Sequence, residues 1–162
     1  MPPALKVRGV PSAKWSNFDQ TGTGTECDTL RITMATPAQR QVLVVDDDPT
    51  IRTCLTQLLE SVGYDVATAV DGVEALLSIN ESAPDIIISD LNMPGMSGVD
   101  LLSEIRRHFP RIVTIAMSGA YRNGGELPSE VMAHGFYAKG EPPSNLYGTL
   151  AQLLEGIRSP KA

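Results

Sequence analysis

The feature that most limits what this chain can fold into is an alternation: five short runs rich in apolar residues, each separated from the next by a segment with helical spacing. The runs fall at residues 42–45, 64–68, 86–89, 112–117 and 136–138. A strand reads as a continuous apolar run when both faces of its sheet are covered, which is the condition of parallel sheets with helical crossovers. The segments between them carry helix signals. Asp48 suits an N-cap, Pro49 suits the first helical position, and Leu55, Leu58, Leu59 and Val62 fall at i, i+3, i+4 and i+7 until Gly63 ends the pattern. Asp71 caps a second helix that carries Val73, Leu76, Leu77 and Asn80, and Val99, Leu102, Ile105 and Phe109 mark a third. A weaker fourth is expected over 128–134, and a fifth over 144–157 with Leu146, Leu150, Leu153 and Leu154. The predicted fold is therefore α/β, a doubly wound (βα)5 unit around a five-stranded parallel sheet.

The rest of the chain sets its organisation. Residues 1–39 mix Pro, Gly, Ser and Thr without a lasting period and read as a flexible N-terminal extension, with Trp15 its one tryptophan. Residues 40–158 read as the folded domain and 159–162 as a short tail. The first forty residues hold five bases (Lys6, Arg8, Lys14, Arg31, Arg40) against three acids (Asp19, Glu26, Asp28), which leaves −8 of the overall −6 for the remainder. An acidic body without a basic stripe argues against direct nucleic-acid binding and favours a metal or a basic partner. Cys27 and Cys54 show neither metal-ligand spacing nor a disulfide framework. With no apolar run long enough to span a bilayer and no secretory leader pattern, the expected location is cytoplasmic. His108 and His134 are placed at helix C-termini, where an imidazolium suits the dipole.

In doubly wound sheets the functional crevice lies beyond the carboxyl ends of the strands, near the point where strand order reverses. The residues there are Asp46 and Asp47 after the first run, Asp90 after the third, Ser118 after the fourth and Lys139 after the fifth. Each has an ordinary explanation alone: a helix cap, a turn aspartate before Pro-Gly, a loop serine, a surface lysine. Their arrival at one edge is what carries weight. Three converging carboxylates repel one another unless a cation or shared protons lie between them. Mg²⁺ suits such a set, since it takes hard oxygen ligands and commonly combines one or two carboxylates with phosphate oxygens. Phosphoryl transfer to a carboxylate then needs positioned positive charge and donors, which a cation, the Lys139 ammonium and the Ser118 hydroxyl supply.

Four stretches carry a resemblance. They are Val42-Leu43-Val44-Val45-Asp46-Asp47-Asp48-Pro49, Asp85-Ile86-Ile87-Ile88-Ser89-Asp90-Leu91-Asn92-Met93-Pro94-Gly95-Met96-Ser97-Gly98, Met117-Ser118-Gly119 and Phe136-Tyr137-Ala138-Lys139. Together they resemble the receiver domains of two-component response regulators, over about residues 40–158. The resemblance implies a flavodoxin-like, CheY-like strand order of 2-1-3-4-5. It implies Asp90 as phosphoacceptor and Asp46, Asp47, Asp90 and the backbone carbonyl of Asn92 as ligands of Mg²⁺. It also implies Ser118 as the switch hydroxyl, Lys139 as the essential lysine and Phe136 as the rotating aromatic. In such receivers the donor is a phosphohistidine on a histidine kinase or a phosphotransfer protein, and the only reaction catalysed is the receiver's own phosphorylation and dephosphorylation. The signal then leaves through a changed surface formed by the fourth helix, the fifth strand and the last helix. The expected output is contact with a downstream protein, by a stand-alone monomer or weak dimer, with no nucleic acid or membrane engaged directly. The pattern departs at Gly140, where the family commonly has proline.

Two rival readings stand beside this one. Asp46-Asp47-Asp48-Pro49-Thr50 matches the D-x-D-x-T signature of haloacid-dehalogenase-like phosphatases, with Asp46 as nucleophile and Asp48 as general acid. That reading calls for an acidic metal pair after the fourth strand, where the chain has Met117-Ser118-Gly119-Ala120, and it leaves Asp90 unused. The other is a receiver-like docking module that works without phosphorylation, for which Gly140 speaks and the intact carboxylates do not.

Overall fold

A computed structural model describes residues 39–120 and 129–158. The expected extension, apart from Gln39, and the tail at 159–162 lie outside the described residues, as do Cys27 and the stretch 121–128. The elements in order are β1 (Gln41–Val45), α1 (Pro49–Ser61), β2 (Asp65–Ala69), α2 (Gly72–Glu81), β3 (Ile86–Asp90), α3 (Gly98–His108), β4 (Val113–Ser118), β5 (Gly135–Ala138) and α4 (Pro143–Arg158). All five strands run parallel in the order β2-β1-β3-β4-β5, the doubly wound arrangement expected.

Alternation along the strands divides the interior into two cores. Val42, Val44, Ile86, Ile88, Val113, Ile115 and Met117 face α1 and α4, where Leu55, Leu59, Leu146 and Leu150 meet them. Leu43, Val45, Ile87 and Ala116 face the other way, onto Ala75 and Ile79 of α2 and Leu101, Leu102 and Ile105 of α3. β3 and β4 are buried along their whole length, which is why their sequence shows no polar alternation. Each fully buried Ile or Leu contributes roughly 1.5–3 kcal/mol of transfer free energy.

The helix starts follow local chemistry. Asp48 accepts the Thr50 N–H at 2.8 Å, Asp71 accepts the Glu74 N–H at 2.8 Å, and Ser97 accepts the Asp100 N–H at 3.2 Å. α3 ends in Arg106, Arg107 and His108, the two arginines placing positive charge on the negative end of the helix dipole.

Two expectations are corrected. In α2 the buried residues are Gly72, Ala75 and Ile79, while Val73 and Leu77 are more than half exposed. The cause is closeness of approach: a Cβ at Gly72 would lie 2.8 Å from Met96 Sδ, so the helix face made of small residues packs inward. The helix expected at 128–134 is not formed over 129–134, where a turn leads into an irregular stretch, and Pro128 lies outside the described residues. There the backbone joins the sheet instead, His134 N–H donating to the Thr114 carbonyl at 2.8 Å, while Val131 is buried in the core beside α2 and α3. His134 therefore closes no helix.

Candidate functional site

Parallel strands end together, and at this edge their last residues are the charged ones. Asp46 follows β1, Asp90 ends β3, Ser118 ends β4 and Lys139 follows β5. Sheet register levels these ends, with Asp90 opposite Met117 and Ser118 opposite Ala138. Two further bonds fix the edge: Leu91 N–H donates to the Met117 carbonyl and Lys139 N–H to the Ser118 carbonyl, each at 2.9 Å. Behind Asp90 the chain turns so tightly that a Cβ on Gly98 would lie 1.9 Å from the Asp90 carbonyl oxygen.

The three aspartates expected from sequence do converge. One carboxylate oxygen from each of Asp46, Asp47 and Asp90 lies within 4.8 Å of the others. Asp46 and Asp90 are buried and Asp47 is exposed, so the cluster is a pocket with one wet wall. Lys139 reaches into it, its Nζ 2.7 Å from Asp46 Oδ2 and 2.9 Å from Asp90 Oδ2. Asp46 Oδ1 accepts the Asp48 N–H at 2.9 Å, while the buried Oδ2 is met by the Lys139 ammonium. Asp90 Oδ1 accepts the Asn92 N–H at 3.3 Å. Ser118 Oγ accepts from the Asn92 side-chain amide at 3.3 Å and from the Ala120 N–H at 3.1 Å, which joins the Asp90 loop to the end of β4.

Electrostatics follow from this burial. Burial pushes the Asp90 carboxyl above the usual range, against the pull of the bonds from Lys139 and the Asn92 N–H. Burial also works against the charge on Lys139, yet its bonds to Asp46 and Asp90 carry its pKa above that of an ordinary lysine. Asp48 is exposed and held below the usual range by the Thr50 N–H it caps. That is a structural duty, and it leaves the general-acid role of the phosphatase reading unsupported.

Phe136 stands apart from the acids. It lies on β5, partly buried and packed against the core beside α2 and α3. Gly140 takes a left-handed φ of +89°, which glycine adopts at little cost, and Lys139 still reaches both carboxylates. Sequence reasoning missed Arg52, whose guanidinium donates to the Asp46 backbone carbonyl and ties α1 to the end of β1. Local spacing carries no signal for it, because its partner is a backbone carbonyl.

Would a divalent cation suit these residues? The donors are carboxylate oxygens, the hard ligands Mg²⁺ prefers, and three carboxylates within 4.8 Å of one another carry more negative charge than the single Lys139 ammonium offsets.

Fold and site together define a flavodoxin-like α/β domain with an acid and lysine cluster at its switch point. The chain belongs to the response regulator receiver domain family, whose sequence pattern matches residues 42–150. Over 68 residues it is 44% identical to the DNA-binding response regulator MtrA of Mycolicibacterium smegmatis, covering 42% of this chain and 30% of that protein. It is 48% identical over 66 residues to the transcriptional regulatory protein PrrA of Mycobacterium tuberculosis, covering 41% of this chain and 28% of that one. The chain thus matches less than a third of the length of these curated relatives. Among solved structures it resembles the chemotaxis protein CheY4 of Vibrio cholerae, with 32% identity, a TM-score of 0.63, and coverage of 71% of this chain and 98% of that one. The response regulator TrrA of Thermotoga maritima, solved in complex with Mg²⁺-BeF, matches at 32% identity and a TM-score of 0.64, over 70% of this chain and 98% of its own. Receiver domains are phosphoryl-accepting signalling modules of two-component systems that bind Mg²⁺ at an acidic pocket and interact with histidine kinases. No helix among the described residues is long and apolar enough to cross a membrane.

Proposed function

We propose that this chain is a phosphorylation-operated switch in which Asp90 takes a phosphoryl group from a phosphohistidine on a histidine kinase or phosphotransfer protein. The observation that carries the reading is the pairing of a three-carboxylate cluster with a lysine that touches two of its members, Asp46 at 2.7 Å and Asp90 at 2.9 Å. Asp46, Asp47, Asp90 and the Asn92 carbonyl would hold Mg²⁺, which when bound supplies positive charge for the phosphate oxygens. A carboxylate oxygen of Asp90 attacks phosphorus, the phosphorus–nitrogen bond of the donor breaks, and the imidazole leaves with the electron pair. Lys139, already in contact with Asp90, stabilises charge on the transferred group, and the Ser118 hydroxyl serves as the second donor. Shifting Ser118 toward the phosphoryl group breaks its link to Asn92 and frees the space beside β5 into which Phe136 turns. The signal leaves through the surface around β5 by contact with a downstream protein. Lys139 keeps its reach despite Gly140, which supports this reading over the phosphorylation-independent docking module.

The test is intact mass after incubation with acetyl phosphate and Mg²⁺. One added phosphoryl group is expected, absent with EDTA and absent in Asp90→Asn. Phosphorylation that persists in Asp90→Asn would refute the assignment of the acceptor.

A further inference from the structure

At the end of the sheet remote from the acids, a cavity of about 380 Å³ opens between the entry to β4 and the far half of α4. Its lining is Pro110, Arg111, Ile112, Val113, His134 and Leu153, none of which belongs to the cluster around Asp90. Ile112 and Val113 are buried and Leu153 is partly buried, so the interior is mostly hydrocarbon. α4 presses close here, since a Cβ at Gly135 would lie 2.9 Å from Leu153 Cδ1. The volume lies within the roughly 300–1,000 Å³ range of small-molecule pockets.

The lining carries a cation, Arg111, in a chain whose net charge is −6. Arg107 and His108 both pair with Glu104, but neither Arg111 nor Arg106 has an acidic partner among the described residues. Arg106 reaches across to His134, NH1 lying 2.9 Å from Nε2. Thr114 holds the other side of that ring, its N–H at 3.0 Å and its Oγ1 at 2.9 Å from Nδ1. The imidazole wall is thereby fixed, and the guanidinium of Arg106 stands just behind it. An apolar interior with the guanidinium of Arg111 in its lining and that of Arg106 behind the His134 wall matches a molecule with the opposite halves: a hydrocarbon body and an anionic head.

We propose that this cavity binds a small anionic amphiphile, an aromatic body of one or two rings bearing a single carboxylate or sulfonate. The rings lie against Ile112, Val113 and Leu153, and the anionic group meets Arg111, with Arg106 adding to the local positive field. The assignment is independent of the phosphorylation reading, because it uses no residue of that site.

The probe for the test is 8-anilinonaphthalene-1-sulfonate, titrated into the full chain and followed by fluorescence. The uncharged analogue N-phenyl-1-naphthylamine serves as the control for charge. Saturable binding of one equivalent is expected for the sulfonate, with the neutral analogue several-fold weaker. Arg111 is exposed, so Arg111→Glu leaves the fold intact and should weaken sulfonate binding roughly five- to tenfold. Leu153→Trp fills the cavity and should weaken binding more than tenfold, with retained melting behaviour showing that the chain still folds. Binding that ignores both substitutions would place the probe elsewhere, for example on the exposed Val73 and Leu77 of α2, and would overturn the proposal. Equal affinity for the two probes, or no saturable binding, would overturn it as well.

Discussion

Replacing Lys139 with methionine tests the electrostatic logic of the site without reference to any reaction. The substitution keeps most of the aliphatic stem and removes one charge. In the structure that charge stands 2.7 Å from Asp46 Oδ2 and 2.9 Å from Asp90 Oδ2, and both carboxylates are buried. Removing one partner of a buried ion pair costs about 3–5 kcal/mol because the remaining charge is left uncompensated. Two effects reduce the figure here: the Lys139 side chain is 20% exposed, and Asp90, already shifted upward by burial, relieves part of the repulsion by taking a proton. A loss of about 2–4 kcal/mol near neutral pH follows, a large share of the roughly 5–15 kcal/mol that holds a domain together. Equilibrium urea unfolding reads it as a fall in midpoint of about 1–2 M, for a slope of about 2 kcal/mol per molar. Measured in EDTA the gap should be full. In saturating Mg²⁺ it should narrow by at least about 1 kcal/mol, because the variant lacks the ammonium that competes with the cation for the same oxygens. A loss under about 1 kcal/mol in EDTA, or a gap indifferent to Mg²⁺, would refute the reasoning.

Three further outcomes are expected. Because burial raises the Asp90 pKa, this group's contribution to stability is fully present below the ordinary carboxylate value of 3.8 and is lost as pH rises through the raised folded value. Asp90→Asn should therefore be more stable than the parent at pH 7, and the difference should shrink as the pH falls, measured by urea midpoints across that range. On α2, Leu77→Lys should change stability by less than about 0.5 kcal/mol, whereas Ile79→Ala should cost about 2–5 kcal/mol; thermal melts that rank them the other way would show that the helix is turned differently. Gly98→Ala forces a carbon to within 1.9 Å of the Asp90 carbonyl, so the loop must move, and a loss of more than about 3 kcal/mol with weakened Mg²⁺ binding is expected by calorimetry.

Most of this was legible in the residues. Strands buried on both faces announce themselves as runs rich in apolar residues, and parallel order carries the residue after each strand to a common edge, so Asp46, Asp90, Ser118 and Lys139 were placed together before any coordinates. What failed was of another kind. Hydropathy marks Val73 and Leu77 as an inward face, but it does not weigh how closely a helix can approach its neighbours, which Gly72 decides against Met96. The stretch 129–134 carries helix-compatible residues, yet the Thr114 carbonyl claims the His134 N–H, a tertiary bond invisible in local spacing. Arg52 escaped notice because its partner is a backbone carbonyl, which leaves no mark in sequence.

The acids and the lysine come from strands that are far apart along the chain, and β5, which delivers Lys139, is a four-residue strand at the margin of the sheet. Assembly therefore has an order. As a chain emerges from its N-terminus, Asp46, Asp47 and Asp90 can gather once β1 and β3 pair, before their counterion has arrived. A dissolved cation is then the readiest source of neutrality until the tethered ammonium joins it. In the finished protein Lys139 stays over the acids only while this short edge strand stays paired with β4. Release of β5 would withdraw the tethered charge from the acid pocket, so amide exchange in residues 135–138 is expected to report how firmly Lys139 is held over the acids.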